Sequence, residues 1–196
     1  MTALPAQPRR LLTVADYVAL GEDPEWVRCE LQEGNLVMSP KPIPEHQLAV
    51  QELVYQLRGQ LPEDVRAIFG VDVDLQLERP SAPGTVRAPD IVVVTRTEVA
   101  RRREQGGVLH ASEVRLVVEV ISPGSRRLDT VLKHSEYADA GIPHYWVVDL
   151  GEPGDRPQLT AHHLAGEFGY ADAGPVSGTF AATEPFPVRI DLDALA

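Results

Sequence analysis

Residues 114–150 read VRLVVEVISPGSRRLDTVLKHSEYADAGIPHYWVVDL and contain two apolar segments separated by a helical pattern. The first segment, Val114–Ile121, and the second, residues 144–150, have the continuous apolar character of strands inside a sheet. Between them, the turn residues 122–125 precede a helix whose stripe of mainly apolar residues runs over residues 128–138. The segment therefore predicts an interior strand, a helix and a second interior strand.

The remaining elements follow from apolar periodicity on either side of this segment. Toward the N-terminus the patterns predict, in chain order, a short helix at 13–20, a β-hairpin at 27–38, a helix that ends at Pro62, a strand at 71–77, a strand at 91–94 and a helix at 97–105. Beyond residue 150 the chain is rich in Gly and Pro and predicts short strands near 158–164, 168–171 and 188–190. The class is mixed α/β (α+β), with a helix-strand-strand-strand-helix-strand core, an N-terminal β-hairpin and a β-rich C-terminal extension.

The composition is that of an ordinary globular protein, since 43% of the 196 residues are hydrophobic and 24% are charged. We expect a flexible tail over residues 1–12 and one domain over residues 13–196. No apolar run approaches the length of a membrane span, and no secretion signal follows the basic pair at residues 9 and 10. The single cysteine, Cys29, excludes an intramolecular disulfide. These features predict a cytoplasmic protein with no membrane partner.

Charge is distributed unevenly along the chain. The net charge is −11, which argues against non-specific coating of nucleic acid. Between Arg87 and Lys133, however, nine Lys or Arg accompany six Asp or Glu, so the remainder of the chain carries −14. This segment is either one basic face that contacts DNA or an ordinary solvated surface.

Two carboxylates occupy unusual positions in apolar strands. Asp90 follows a proline at the start of one strand, and Glu119 lies near the end of another. A carboxylate in an interior strand is costly unless a cation or hydrogen bonds compensate it. Two such groups on adjacent strands would supply the hard oxygen ligands that Mg²⁺ or Mn²⁺ prefers. Alternatively, Asp90 is a turn residue, and Glu119 is the partner of an arginine at position 115 or 126.

Lysine is rare in this chain, which has sixteen arginines and only Lys41 and Lys133. Because arginine is used almost everywhere else, Lys133 indicates a site that needs a compact, mobile ammonium group. Such a group beside a metal can hold an attacking water or a phosphate oxygen during phosphodiester hydrolysis. The alternative is an ordinary surface pair between Lys133 and Asp129, which lies one helical turn earlier.

Several separated motifs carry a resemblance to a known family. They are, in chain order, Cys29-Glu30-Leu31, Gly34, Met38-Ser39-Pro40, His46, Pro89-Asp90, Glu119-Val120-Ile121-Ser122-Pro123, Asp129, Lys133, Tyr137, Gly141 and Tyr145-Trp146-Val147-Val148-Asp149. In this order they resemble the Uma-two (Uma2) family of restriction endonucleases, within the PD-(D/E)XK nuclease superfamily. The resemblance extends from about residue 13 to the C-terminus.

The resemblance implies a restriction-endonuclease-like αβββαβ core in which Asp90 and Glu119 bind the metal. The superfamily's simplest motif has a lysine two residues after the acidic residue, where this chain has Ile121. The resemblance places the lysine on the following helix, at Lys133. Glu30 and His46 match the pattern as further site candidates, although a solvated glutamate and a structural histidine are the ordinary interpretations.

We therefore expect a Mg²⁺-dependent (or Mn²⁺-dependent) endonuclease that acts on DNA. The alternative is a catalytically inactive nuclease-fold module for binding or assembly. Because one active site hydrolyses one strand, cleavage of a duplex favours a homodimer with two symmetric sites. Tyr137, one turn after Lys133, is expected to support that lysine by packing and hydrogen bonding.

Overall fold

The structure is a computed structural model that describes residues 10–21, 29–38, 42–121 and 128–195. Its helices are α1 (Val14–Leu20), α2 (Pro44–Arg58), α3 (Arg96–Gln105) and α4 (Leu128–Asp139). The strands are β1 (Cys29–Gln32), β2 (Asn35–Met38), β3 (Val65–Phe69), β4 (Val73–Asp74), β5 (Val86–Arg87), β6 (Ile91–Thr95), β7 (Leu109–His110), β8 (Val114–Ile121), β9 (His144–Asp149), β10 (Gln158–Leu164), β11 (Tyr170–Asp172), β12 (Val176–Ser177), β13 (Thr179–Ala182) and β14 (Val188–Asp191). Within the described residues, no helix combines the length and the apolar character of a membrane span.

The central sheet has seven strands, in the order β11-β10-β9-β8-β6-β3, and β12 also pairs with β10. β8 runs antiparallel to β6 and parallel to β9. A parallel pair needs a crossover connection, and α4 lies in the connection between β8 and β9. The elements α2, β3, β6, β8, α4 and β9 form the predicted αβββαβ core, so the fold class is confirmed.

One core strand differs from the sequence prediction. Residues 71–77 do not form a strand of the central sheet, because only Val73–Asp74 is a strand and it belongs to a second sheet. Gln76 has a φ of 55°, which interrupts the extended backbone at that point. The first core strand is instead β3, whose VRAIF sequence pairs with β6 at the edge of the sheet. The alternating side chains of residues 71–77 reflect an irregular segment that buries Val73 and Leu75.

The N-terminal hairpin is confirmed by the pairing of β1 with β2, although residues 27 and 28 lie outside the described residues. It belongs to a five-stranded sheet with the order β2-β1-β5-β4-β7. The hairpin turn needs glycine at Gly34, where φ is 80° and an added Cβ would lie 2.8 Å from the Cβ of Leu11. Leu12 donates its N–H to the Gly34 carbonyl at 2.8 Å. The described end of the predicted tail therefore packs on this sheet.

Apolar clusters cover both faces of the central sheet. On one face, α2 and the β13–β14 pair pack against strand residues such as Trp146, which contacts Phe180 edge-on at 5.0 Å between ring centroids.

On this face, α2 also carries Gln56 and Gln60. The amide of Gln56 exchanges hydrogen bonds with the Asp191 backbone at 2.8 and 3.1 Å. The amide of Gln60 does the same with the Arg189 backbone, at 2.8 Å in each direction. The side-chain amides of these two glutamines thereby connect α2 to the backbone of β14 through hydrogen bonds.

Candidate active site

The pairing of two central strands brings the predicted carboxylates together. Asp90 immediately precedes β6, and Glu119 lies near the end of β8. Because the two strands are antiparallel and Ile91 lies opposite Val118, the start of one strand meets the end of the other. The N–H of Val120 donates to Asp90 Oδ2 at 2.8 Å, which fixes the orientation of this carboxylate.

Glu119 is a buried carboxylate held by groups on α4. Its Oε1 accepts a hydrogen bond from the Tyr137 hydroxyl at 2.8 Å and lies 3.1 Å from Lys133 Nζ. Burial raises the pKa of Glu119 to about 7, the Lys133 charge opposes that rise, and the nearby negative charge of Asp90 adds to it. Neither Arg115 nor any other described arginine pairs with Glu119, and Arg126 lies outside the described residues.

Lys133 lies at the junction of two carboxylates. Its ammonium nitrogen is 3.1 Å from Glu119 Oε1 and 3.5 Å from Glu30 Oε1, and the residue is 7% exposed. The helix that follows β8 thus brings Lys133 to Glu119, as the resemblance implied. An exposed surface pair with Asp129 does not account for this burial, and the side chain of Asp129 lies outside the described residues.

Glu30 does not lie on a solvated face, so that alternative is wrong. The residue is 6% exposed even though it lies on the strand face that the alternation marked as polar. One oxygen accepts the N–H of Ala88 at 3.0 Å and faces Lys133, while the other accepts from Arg87 at 2.8 Å. These polar partners replace solvent around the carboxylate.

Arg87 and Glu136 are charged residues of this region that no sequence motif indicated as site residues. Arg87 is 1% exposed, and its guanidinium binds Glu136 in a bidentate manner at 2.7 and 2.8 Å while it also donates to Glu30. It therefore connects β1, β5 and α4. An arginine three residues before Asp90, among apolar neighbours, is a signal that could have identified it. Since Arg87 and Lys133 are both buried, residues 87–133 do not form a single exposed basic face.

His46, in the first turn of α2, contacts the first carboxylate. Its Nε2 lies 3.1 Å from Asp90 Oδ2, and this hydrogen bond raises the pKa of His46 while burial opposes the rise. The Nδ1 atom is buried and has no hydrogen-bond partner among the described residues. Tyr137, expected to support Lys133, instead donates to Glu119, the carboxylate that the lysine contacts. The structure therefore gathers Asp90, Glu119, Lys133, Glu30 and His46 in one region.

The two carboxylates fit a hard divalent cation in donor type. Asp90 Oδ1 and Glu119 Oε2 each have no hydrogen-bond or ion-pair partner among the described residues, so each carboxylate retains one oxygen for another ligand. Among these residues no group of three or more His, Cys, Asp or Glu is arranged to hold a metal. A pair of carboxylates suits Mg²⁺ in particular, which usually keeps several of its waters.

The chain has relatives at the level of family and fold. A family model, Uma2, with the description "Putative restriction endonuclease", matches residues 14–193. A solved structure of "a putative nuclease belonging to DUF820 from Anabaena variabilis ATCC 29413" is similar with a TM-score of 0.65 and 17% sequence identity. The similarity covers 94% of this chain and 97% of that one, and at this identity it shows the fold alone. No curated protein matches the chain.

Proposed function

This chain belongs to the Uma2 family, and we propose that it is a metal-dependent endonuclease that hydrolyses phosphodiester bonds in DNA. One observation carries the proposal: a buried lysine lies 3.1 Å from a buried carboxylate, and a second carboxylate immediately precedes the adjacent strand. Two hard oxygen donors and a compact cation are the groups that hydrolysis of a phosphodiester requires.

Asp90 and Glu119 would hold Mg²⁺ or Mn²⁺ through their available oxygens. Such a cation lowers the pKa of a bound water and offsets negative charge on the reacting phosphate. The protein's own contribution is to orient the two carboxylates. The N–H of Val120 and the ring of His46 position Asp90, and the Tyr137 hydroxyl positions Glu119.

Lys133 is the proposed source of positive charge from the chain itself. Its ammonium would donate to the attacking water or to a phosphate oxygen and would stabilise the charge that develops in the transition state. Glu30, which faces the same ammonium at 3.5 Å, would position it. A compact ammonium suits this position better than the planar fork of an arginine.

The Asp90→Ala variant tests the metal site. We expect it to lose Mn²⁺ binding in a calorimetric titration and to lose metal-dependent nicking of supercoiled DNA. Its melting temperature without metal should stay close to that of the parent, because the removed repulsion between two carboxylates offsets the loss of the hydrogen bonds from Val120 and His46. The control, Asp139→Ala, removes an exposed carboxylate of α4 and should behave like the parent. If Asp90→Ala bound Mn²⁺ as tightly as the parent, the assignment of the metal ligands would be wrong.

A second candidate function is a nuclease-fold binding or assembly module that cleaves nothing. The pairing of Glu119 with Lys133 and Tyr137 favours it, because these contacts compensate the buried carboxylate without a metal. The net charge of −11 favours it as well. Purified parent protein that binds Mn²⁺ but cleaves neither plasmid nor linear DNA would support the module.

A homodimer is part of the proposal, because cleavage of a duplex requires two sites presented symmetrically. Light scattering should give a mass of twice the 21.5 kDa of one chain, whereas a mass near 21.5 kDa would contradict the dimer. The cytoplasm remains the compartment that the sequence predicts.

A further inference from the structure

A groove follows the outer edge of the central sheet, outside the candidate active site. β3 is the last strand of that sheet within the described residues, and it pairs only with β6 there. The groove has a volume of about 760 Å³ and lies where the end of α2, the edge strand β3 and the start of α3 meet. Arg58, Arg66 and Arg96 line it, and an adjoining cavity shares the last two and adds Arg103.

The arginines of this groove have no carboxylate partner, whereas five of the nine other Lys and Arg side chains that the structure describes have one. Among the described residues, eight Lys or Arg side chains have no carboxylate within ion-pair distance, and four of these eight line the groove and its adjoining cavity. All four are exposed, and the facing acidic residues are Glu63 and Glu104. The Arg66 guanidinium donates to the backbone carbonyls of Val65 at 2.6 Å and of Glu63 at 3.4 Å, which leaves its charge without a carboxylate partner in the described part of the chain. Guanidinium groups without carboxylate partners, concentrated on one edge of an acidic protein, match a polyanionic ligand.

One end of the groove lies on the strand pair that leads to the candidate active site. Phe69, the last residue of β3, lines the groove and lies opposite Ile91, the residue that follows Asp90. From Phe69 the strand runs back to Val65, about 13 Å away at the usual rise of a strand. Arg66 lies along that path, and Arg96 follows the end of β6. The Phe69 end of the groove is thus the end nearer Asp90 along the strand pair, and the arginines lie toward its other end.

The exposed ring of Phe69 indicates which kind of polyanion the groove binds. This residue is 58% exposed, and it lies at the end of the groove nearest Asp90. An exposed aromatic ring and guanidinium groups that line one groove are the combination that binds single-stranded nucleic acid, through base stacking and phosphate contacts. A second copy of the chain is a poor occupant, because two β3 edges paired antiparallel would bring the arginine groups together.

We propose that the groove along β3 binds a single strand of nucleic acid, with phosphates on Arg66 and Arg96 and a base on Phe69. The inference rests on the proposed nuclease function and adds a binding path for the strand on one side of the reacting phosphate. DNA and RNA share the chemistry that the groove recognises, so matched oligonucleotides of each kind distinguish between them.

The test measures fluorescence anisotropy of a labelled oligothymidylate of about 16 nucleotides, with the full chain in EDTA so that no cleavage occurs. The Arg66→Ala, Arg96→Ala double variant should raise Kd by about 10-fold or more and should reduce the slope of log K against log salt by about 1.4, since two phosphate contacts are lost. The control double variant, Arg79→Ala with Arg189→Ala, removes two exposed arginines elsewhere and should change Kd by less than about 2-fold.

Two further variants separate charge and stacking from folding. Arg66→Lys with Arg96→Lys keeps both charges and should bind within about 3-fold of the parent. Phe69→Ala should weaken binding by about 5-fold or more, whereas Phe69→Tyr keeps the stacking surface and should not. Melting temperatures close to that of the parent would show that these variants are folded.

The outcomes separate this inference from the proposed function. If the parent binds the strand through these arginines but does not cleave DNA with Mn²⁺, the nuclease proposal fails and the groove stands. If the parent cleaves DNA and the groove variants bind like the control variant, the groove proposal is overturned. The groove proposal is also overturned if polyglutamate displaces the labelled strand as effectively as the unlabelled oligonucleotide does. Binding of a duplex without binding of single strands would overturn it too.

Discussion

The cations near the two ends of β6 differ in burial and in whether they contact carboxylates. At the end next to Asp90, Arg87 is 1% exposed and Lys133 is 7% exposed, and both contact carboxylates. At the other end, Arg66 and Arg96 are exposed and have no carboxylate partner among the described residues. Buried charges are screened little by salt and hold a fixed geometry, while exposed charges are screened and remain available to a ligand. Positive charge therefore maintains the site at one end and is available for binding at the other.

The largest expected effect concerns the buried arginine. Arg87→Met leaves Glu30 and Glu136 without their shared cation, and removal of one partner of a buried ion pair typically costs about 3–5 kcal/mol. Urea unfolding should show this loss. Arg156→Met, which removes the partner of the exposed Asp193, should leave the unfolding midpoint unchanged. Equal unfolding midpoints for the two variants would contradict the prediction that the buried cation contributes more to stability than the exposed one.

The next effect concerns Lys133 and catalysis. Lys133→Met should keep Mn²⁺ binding but lower the rate of DNA cleavage by about 100-fold or more, because it removes charge stabilisation from the transition state. Lys133→Arg should restore only part of the rate, since a planar fork does not replace a compact ammonium. Arg102→Met, an exposed change on α3, serves as the control. Cleavage at the parental rate by Lys133→Met would return Lys133 to a structural role.

A smaller effect should appear as pH dependence of the metal-free protein. The pKa of Glu119 is raised from 4.5 to about 7 by burial, so the folded protein binds a proton more tightly than the unfolded chain. The unfolding free energy should therefore fall as pH rises from about 4.5 to about 7. Glu119→Gln cannot ionise, so it should lack this part of the decline. Urea midpoints measured across that pH range test the difference, and parallel curves would contradict the assignment.

The smallest effect is expected at the exposed end of β6. The Arg66→Ala, Arg96→Ala variant should change the free energy of unfolding by no more than about 1 kcal/mol. Neither side chain has a carboxylate partner within the residues that the structure describes, and Arg66 loses only its hydrogen bonds to the backbone carbonyls of Val65 and Glu63. Its melting curve should also keep the salt dependence of the parent. A clear loss of stability would mean that these arginines support the fold, as Arg87 does.

Local patterns predicted the core wherever burial on both faces made a strand continuously apolar. β8 was predicted with its exact bounds for this reason, whereas β3 was missed because VRAIF at a sheet edge has neither a continuous nor an alternating apolar pattern. The convergence of Asp90 and Glu119 was accessible because both carboxylates interrupt apolar strands. The environment of Arg87 could not be predicted from local patterns, because its partners Glu136 and Glu30 lie 49 and 57 residues away in sequence.

The two glutamines of α2 supply β14 with backbone hydrogen bonds of the kind that a neighbouring strand would supply. Residues four apart on a helix are about 6 Å apart along its axis, and alternate residues of a strand are separated by nearly the same distance. Gln56 and Gln60 therefore meet Asp191 and Arg189 in register, and each amide supplies both a donor and an acceptor. The backbone groups of β14 at these positions are thus unavailable for edge-to-edge aggregation, which exposed strand edges otherwise promote.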